Sequence, residues 1–235
     1  MSLKYLTSRT AQQIDEELMS SAGAFSLDQL MELAGIACAQ ALARVYDKKK
    51  YPNVLVCCGP GNQGGDGLVA ARHLGMFGYR PTIYMPKPGS KDIYQRLKLQ
   101  CDNMKIKTIP PSNDPEILRD ALSSTNVILD AIFGFSFKGP IRAPFDSALP
   151  ILSDSRLPIV SVDIPSGWHV EEGNVEGVGL RPDVLVSLTA PKLGVRSFGG
   201  RHFLGGRFIP KSLEEKFELN LPEYPGSDQI VELKE

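Results

Sequence analysis

Two aspartates stand where buried strands are predicted to end. Asp130 lies inside the apolar run VILDAIF, and Asp163 is the next-to-last residue of the run IVSVDI, which Pro165 follows. A carboxylate in such a run is costly to bury unless it is paired or bound to a cation. The alternative interpretation is that Asp130 only caps a nearby loop. Asn62 and Ser166 also follow strands, so we expect four oxygen-bearing side chains in one crevice. Such a donor set, without His or Cys, is typical of a hard-cation site or of acid–base catalysis.

The glycine-rich segment GPGNQGGDG, at residues 59–67, lies between a predicted strand and a predicted helix. Gly59, Gly61 and Gly64 satisfy the G-x-G-x-x-G spacing that lets backbone amides approach a phosphate at a helix N-terminus. An ordinary NAD dehydrogenase would carry an acidic residue for the ribose about 20 residues further on, but MPKP stands at 85–88. The segment therefore indicates nucleotide binding without the usual dehydrogenase pattern, and a turn used only for packing is the alternative.

Three further features follow the predicted strands. Gly134 and Gly139 bracket a loop that could close over a ligand. Trp168 could stack on a flat ligand, although a single Trp more often belongs to the core. Lys192, in the segment TAPKLG, could face a phosphate or the catalytic carboxylate, or it could be an ordinary surface lysine.

Short apolar runs that alternate with helical segments must position these residues. Strands are predicted at residues 53–58, 81–85, 105–109, 127–133, 159–164 and 184–188, with a further edge strand at 208–209. Crossover helices are predicted at 66–77, 91–104, 116–122 and 145–152. Two helices precede the first strand: one is capped by Thr7, Ser8 or Thr10, and the other follows a capping box formed by Ser26 and Gln29.

The alternation predicts an α/β fold with one doubly wound, mostly parallel sheet and helices on both faces. Because the crossovers are right-handed, the loops at the carboxyl ends of the strands collect along one edge. We expect a single domain over residues 1–235, with a core at about 7–219 and a polar, loosely held tail at 220–235.

The composition limits the classes of function. A net charge of -1 over 235 residues gives no general attraction to nucleic acid or to an anionic membrane, so neither is an expected partner. No apolar run reaches the ~20 residues that span a bilayer, and the N-terminus lacks the apolar stretch of a secretory signal. Four cysteines, two of them adjacent, and three scattered histidines predict neither a disulfide framework nor a zinc site. The expected location is the cytoplasm, with mitochondria left open as a second one.

Five segments, taken together and in this order, resemble the YjeF N-terminal domain family, and within it the eukaryotic NAD(P)HX epimerases. The segments are LMELAG (30–35), GPGNQGGDG (59–67), DAIFGFSFKG (130–139), DIPSGW (163–168) and TAPKLG (189–194). The likeness extends over nearly the whole chain. One departure is His169, where the family pattern leads us to expect Asp; we expect this side chain to face solvent.

The resemblance implies a Rossmann-like three-layer α/β/α sandwich that interconverts the R and S epimers of hydrated NADH and NADPH. NAD(P)HX would be the substrate and not a cofactor. The resemblance also implies a homodimer. Some family members carry a second, ATP- or ADP-dependent dehydratase domain; this chain is too short for one, so a separate NAD(P)HX dehydratase is the expected functional partner.

Site residues also follow from the resemblance. The implied substrate-binding residues are Gly61, Asn62, Gln63, Gly64 and Gly65, then Gly134, Phe135, Ser136, Phe137, Lys138, Gly139 and Pro140, together with Asp163. Asp163 is the implied catalytic acid–base group, with Lys192 as the next candidate. Asn62, Asp130 and Ser166 are the implied ligands of one potassium ion per subunit.

Two other functions compete with this one. A non-catalytic interaction scaffold could share this domain, but it would have no use for the four oxygen-bearing side chains described above. A classical NAD(P)-dependent oxidoreductase would need the missing ribose acid and a hydride-site His or a Tyr-x-x-x-Lys pair. The cluster of polar strand ends therefore favours the epimerase.

Overall fold

The computed structural model describes residues 2–112, 114–175 and 177–234. The strands are β1 (Asn53–Cys58), β2 (Arg80–Tyr84), β3 (Lys107–Ile109), β4 (Val127–Ala131), β5 (Ile159–Val162), β6 (Val184–Leu188), β7 (Arg201–Gly205) and β8 (Ile230–Glu232). The α-helices are α1 (Ser8–Leu18), α2 (Leu27–Val45), α3 (Asn62–Met76), α4 (Asp92–Asn103), α5 (Pro115–Ser123), α6 (Phe145–Asp154) and α7 (Lys211–Phe217). Within the described ranges, no helix is both long and apolar enough to cross a membrane.

The strands form one sheet in the order β3-β2-β1-β4-β5-β6-β7-β8. Neighbouring strands pair in parallel throughout, except for the antiparallel pair of β7 and β8. The order reverses beside β1, because the chain runs outward to β3 and then returns to place β4 on the other side. Ligands of such sheets bind at this switch point. The predicted α/β fold with a mostly parallel sheet is confirmed.

Helices cover both faces of the sheet. One core contains α2, α3 and α4 with Val56 and Cys58 of β1, and a second core contains α5 and α6 with Leu55 and Cys57. Successive residues of a strand point to opposite faces, so the adjacent cysteines lie in different layers. Both are buried free thiols.

The two N-terminal helices begin where their capping residues predict. The side chain of Thr7 accepts a hydrogen bond from the backbone of Thr10, and Ser26 and Gln29 form the predicted capping box. α2 packs mainly against α3. A parallel β-bridge between Leu6 and Lys192 fixes the segment ahead of α1 to the chain that follows the carboxyl end of β6.

The predicted start of α3 near residue 66 is wrong, because the helix begins at Asn62 with Gly61 as its N-cap. Gly64 and Gly65 belong to the first turn, where side chains would collide with Gly59 and with Met31. These glycines serve close packing inside a helix, and their composition alone resembles that of a loop.

The C-terminal part differs most from prediction. The expected strand at 208–209 is wrong: Arg201–Gly205 form the strand beside β6. Gly206, with a positive φ of 82°, follows β7, and Phe208 and Ile209 pack sideways against the apolar cluster of α1.

The expected loosely held tail at 220–235 contains a strand. Ile230–Glu232 form β8, which pairs with β7, and Ile230 is buried in the main core. Asp228 forms an ion pair with Arg44 of α2 at 2.8 Å. The burial of Ile230 and the pairing of β8 with β7 therefore hold this segment in place, although its polar composition suggests a tail.

Candidate active site

A cleft of about 700 Å³ opens at the carboxyl edge of the sheet, at the switch point. Residues that follow β1, β4, β5 and β6 line its floor, and α1 and α2 line one side. The cleft includes the following predicted site residues: Gly61, Asn62, Gln63, Gly134, Phe135, Ser136, Phe137, Lys138, Asp163 and Lys192. Its lining, over the described residues, does not include Gly64, Gly65, Gly139, Pro140, Asp130 or Ser166.

Asp163 follows β5 directly and has a left-handed backbone conformation, with φ at 58°. Its N–H donates to the carbonyl of Val186 at 2.7 Å, and its Oδ1 accepts from the N–H of Leu188 at 3.1 Å. Left-handed backbone is uncommon outside glycine, although Asp adopts it more readily than most residues. The two hydrogen bonds to β6 hold the carboxylate in place against that preference.

Lys192 is the ionic partner of Asp163. Its Nζ is bonded to Oδ1 of Asp163, and each of the two side chains is only 3% exposed. Nζ also donates to the carbonyl of Leu188 at 2.9 Å and lies 5.4 Å from the ring centre of Phe135. The chain reaches this position through Thr189, whose φ of 67° is rare for a β-branched residue. The buried lysine is thus explained by the buried carboxylate that it neutralises.

The two oxygens of the Asp163 carboxylate differ. Oδ1 accepts hydrogen bonds from Leu188 and Lys192, whereas no donor among the described residues is bonded to Oδ2. Asp163 also lines the cleft. Oδ2 is therefore the oxygen that can exchange a proton with a ligand.

Asp130 is fully buried, and both of its carboxylate oxygens accept hydrogen bonds. Oδ1 accepts from Ser166 Oγ at 2.5 Å and from the N–H of Ile132 at 3.3 Å. Oδ2 accepts from Ser161 Oγ at 2.7 Å and from the N–H of Ser166 at 2.9 Å. Burial raises the pKa of Asp130, and the hydrogen bonds from Ser166 and Ser161 oppose that rise. Its described partners include no cationic side chain, so a bound cation would stabilise the ionised form.

Asn62 begins α3, and its Oδ1 accepts a hydrogen bond from the hydroxyl of Tyr94 at 2.6 Å. The structure joins Asp130 and Ser166 by hydrogen bonds, whereas among the described residues neither is hydrogen-bonded to Asn62. One carboxylate with hydroxyl and amide oxygens fits a hard monovalent cation, provided that Asn62 turns its oxygen away from Tyr94. Within the described residues, no group of three His, Cys, Asp or Glu side chains could hold a metal ion.

The N-terminus of α3 faces the cleft. Gly61 supplies no capping side chain, so the amides of the first turn are left for water or a ligand. Such an N-terminus attracts anionic groups. A methyl group on Gly61 would meet no atom within 4 Å, whereas one on Gly64 would collide with the carbonyl of Gly59. Gly61 therefore borders the open cleft, and Gly64 allows two backbone segments to approach.

Gln63 connects two walls of the cleft. Its Nε2 donates to the carbonyl of Val162 at the end of β5, and its side chain occupies the space that a methyl group on Gly134 would need. A side chain at 134 would therefore displace the Gln63 amide from this position. Both residues are predicted to bind substrate, but no pattern in the sequence predicts this contact between them.

Three carboxyl groups that are not among the predicted site residues also line the cleft: Asp15 and Glu16 of α1, and Asp66 of α3. Burial, reinforced by the charge of Asp163 and opposed by Lys192, raises the pKa of Asp15 to about 6. Burial, with the charges of Asp163 and Asp15, raises the pKa of Asp66 well above its usual range. The place of Asp15 in the cleft depends on where α1 docks, which no local pattern reveals.

Trp168 and His169 lie outside the cleft lining. Trp168 Nε1 donates to the carbonyl of Leu180 at 2.7 Å, and its ring packs against a small apolar cluster. Trp168 therefore has a structural role here. His169 is exposed, as expected for the residue that departs from the family pattern.

The comparison with protein families agrees with this description. The profile of the family described as "YjeF-related protein N-terminus" matches residues 27–194. That range begins at α2 and ends just after Lys192, so it covers the cleft lining except for Phe208 and the residues of α1 with Met19.

Individual relatives extend the match to nearly the whole chain. A protein of Mycosarcoma maydis named "NAD(P)H-hydrate epimerase" is 56% identical over 98% of this chain and 88% of its own length. A Schizosaccharomyces pombe protein of the same name is 50% identical over 99% of this chain and 97% of its own. The crystal structure of a yeast protein superposes with a TM-score of 0.91 at 42% identity, covering 98% of this chain and all of that one. This chain therefore belongs to the family of YjeF-related protein N-terminal domains, and the resemblance seen in its five motifs is confirmed.

Proposed function

We propose that this chain interconverts the R and S epimers of hydrated NADH and NADPH, and so is an isomerase. The observation that carries the proposal is the buried pair of Asp163 and Lys192, placed in a cleft beside the N-terminus of α3. Relatives of 50% to 56% identity named "NAD(P)H-hydrate epimerase" support it.

The reaction suits a site with few polar groups. C6 of NAD(P)HX is a hemiaminal carbon, bonded both to a hydroxyl oxygen and to the ring nitrogen. The nitrogen lone pair expels the protonated hydroxyl as water and leaves a flat iminium ion. Water then adds to either face of C6 and loses a proton, which gives either epimer. Acid–base assistance by a carboxyl group typically accelerates such steps by ~10²–10⁴-fold.

Asp163 supplies the acid–base group. Lys192 and the N–H of Leu188 hold Oδ1, so the carboxylate keeps one orientation and presents Oδ2 to C6. Lys192 acts through Asp163, because its ammonium is already bonded to the carboxylate and to the carbonyl of Leu188.

The rest of the cleft holds the dinucleotide. The amides that follow Gly61 bind the pyrophosphate, because they lie in the first turn of α3 without a capping side chain. The segment at 134–140 covers the hydrated ring from the opposite side; Phe135 and Phe137 both line the cleft. A grip on pyrophosphate and ring explains why the end of β2 carries no acidic residue for the ribose.

One potassium ion per subunit would be held by Asn62, Asp130 and Ser166. The ion would supply the positive charge that the buried Asp130 lacks. Ser166 and the N–H of Ile132 connect Asp130 to the chain after β5 and after β4. This site therefore orders the two loops and takes no part in proton transfer.

We further propose a homodimer in which the N-terminal helices form one contact surface. Both helices bury most of their apolar residues inside their own chain, so this contact would be made by their exposed side chains. The functional partner is a separate ATP- or ADP-dependent NAD(P)HX dehydratase, which consumes the S epimer, and the proposed location is the cytoplasm, with mitochondria as a second one.

The purified chain is tested on an equilibrium mixture of NADHX epimers with an S-specific dehydratase in excess. The S fraction is consumed at once, and the R fraction then limits NADH formation. We expect the chain to accelerate this second phase in proportion to its concentration. A second phase that stays at the spontaneous rate would contradict the proposal and favour a scaffold.

A further inference from the structure

One face of α1 forms a wall of the cleft. Ser8, Ala11, Gln12, Asp15 and Met19 line the cleft, and their spacing of three and four residues places them on one side of a helix. The adjacent side of α1, with Ala11, Ile14 and Leu18, is buried in an apolar cluster. The helix is therefore held firmly while it presents Asp15 to the cleft.

Two contacts fix α1 relative to the catalytic pair. Leu6, just ahead of the helix, bridges to Lys192, and the N–H of Leu193 donates to the carbonyl of Leu6 at 2.9 Å. At the first turn of α1, Ser8 Oγ donates to the carbonyl of Phe135 at 3.4 Å. Asp15 therefore lies on an element attached both to the Lys192 segment and to the loop over the ring.

The charges in the cleft leave Asp15 without a cationic partner of its own. The groups that act on it are Asp163, which follows β5, Lys192, which follows β6, and Glu16, its neighbour on α1; Asp66 of α3 is also coupled to it. Lys192 is already bonded to Asp163. Within the described residues, the side chain of Asp15 takes part in no hydrogen bond, so its carboxyl group is available to a ligand.

Epimerisation needs proton exchange on two faces of one flat ring, because the hydroxyl leaves from one face and water adds to the other. Asp163 at the end of β5 can serve one face only. We infer that Asp15 is the second acid–base group of the epimerisation, serving the face of the ring that is turned towards α1. The inference rests on the proposed function, since it assigns a residue to that reaction.

The protons balance over one turnover. Asp15 gives a proton to the C6 hydroxyl, the C–O bond breaks, and water leaves as the nitrogen lone pair forms the C=N bond. A second water adds to C6 from the other face and gives its proton to Asp163, and the C=N bond becomes a lone pair again. Asp163 then releases its proton to water and Asp15 takes one up from water, which restores both carboxyl groups. In the reverse direction the two carboxyl groups exchange roles. No oxidant or reductant is required.

The test compares Asp15→Asn with Asp15→Glu and with Glu17→Gln. Glu17 lies on the same helix but pairs with Lys216 at the surface, outside the cleft lining. Epimerisation of R-NADHX is measured against pH with the spontaneous rate subtracted. We expect kcat of Asp15→Asn to fall by ~10²-fold with KM changed by only a few fold, partial activity in Asp15→Glu, and no change in Glu17→Gln.

The pH profile separates a proton-transfer role from a structural one. The acid form of Asp15 is the active one for the epimer whose hydroxyl faces α1. Because burial raises the pKa of Asp15 to about 6, the wild-type rate with that epimer should fall as pH rises through that region. Asp15→Glu should keep this limb and Asp15→Asn should lose it. An Asp15→Asn variant with a wild-type rate and profile would overturn the inference, and so would a loss of folding that Asp15→Glu shares. If wild-type protein does not epimerise NADHX, the proposed function itself fails, and the role of Asp15 falls with it.

Discussion

Leu6 and Lys192 form a parallel β-bridge, so the segment ahead of α1 is fastened to the residue that neutralises Asp163. The N–H of Leu6 donates to the carbonyl of Pro191 at 2.8 Å, which completes the attachment. This bridge helps to place the N-terminal helices against the cleft, although they precede every strand of the sheet.

Lys192→Met should destabilise the fold more than a comparable change at the surface. The substitution leaves Asp163 buried without its cationic partner, and breaking one side of a buried pair typically costs ~3–5 kcal/mol. Arg201→Met is the matched control, since Arg201 pairs with the exposed Glu232 and such pairs contribute at most ~1 kcal/mol. Urea unfolding measures both. Equal losses of unfolding free energy in the two variants would mean that the buried Asp163 carboxylate does not depend on Lys192 for its stabilisation.

Gly64→Ala and Gly61→Ala should separate packing from ligand contact. A methyl group at 64 collides with the backbone of Gly59, whereas one at 61 meets open space. We expect Gly64→Ala to lower the melting temperature clearly. Gly61→Ala should melt like wild type but show a raised KM, because its methyl group points to where the pyrophosphate approaches. A normal KM in Gly61→Ala would place the phosphates elsewhere.

His202 should make the fold sensitive to acid. Burial lowers the pKa of His202 from 6.5 to about 4, and its ring is bonded to Ser187 Oγ at 2.8 Å. The unfolded chain then binds more protons than the folded one between these two values, so stability is lost as pH falls. Lowering the pH from about 7.5 to about 5 should remove about 2 kcal/mol of unfolding free energy through this group alone.

The measurement for His202 is the change in unfolding free energy between the two pH values in wild type and in His202→Gln. The variant should lose less stability than wild type. His169→Gln, at an exposed histidine, is the control and should behave like wild type. Equal pH dependence in all three proteins would show that His202 does not carry the effect.

Potassium should stabilise the protein as well as support its activity. If the ion binds at Asp130, potassium chloride raises the melting temperature in a saturable way, and tetramethylammonium chloride at the same ionic strength does not. Asp130→Asn should remove the difference between the two salts. The same difference persisting in Asp130→Asn would move the cation to another place in the molecule.

The sequence predicts the sheet and its switch point well, because continuous apolar runs such as NVLVCC are buried on both faces of a parallel sheet. It predicts β7 and β8 poorly. The strand Arg201–Gly205 begins with two polar residues, and Ile230 is the one buried residue of β8. The sequence does not decide whether Lys192 pairs with Asp163, because this pairing depends on the left-handed backbone conformation of Thr189. The place of Asp15 in the cleft depends on the bridge from Leu6 to Lys192, a contact between distant parts of the chain.

Single-turnover and steady-state kinetics of Asp163→Asn on R-NADHX test the central claim most directly. Asn retains the shape and can still accept from the N–H of Leu188, but it cannot exchange the proton. Asp183→Asn is the matched control. Oδ2 of Asp183 accepts a hydrogen bond from the N–H of Ile159 at the amino ends of β5 and β6, which are the ends away from the cleft. With folding verified by melting curves, we predict that kcat falls by ~10²-fold or more in Asp163→Asn, that substrate binding is largely kept, and that Asp183→Asn stays active. A kcat near that of wild type in Asp163→Asn would contradict the assignment and move catalysis to another group in the cleft.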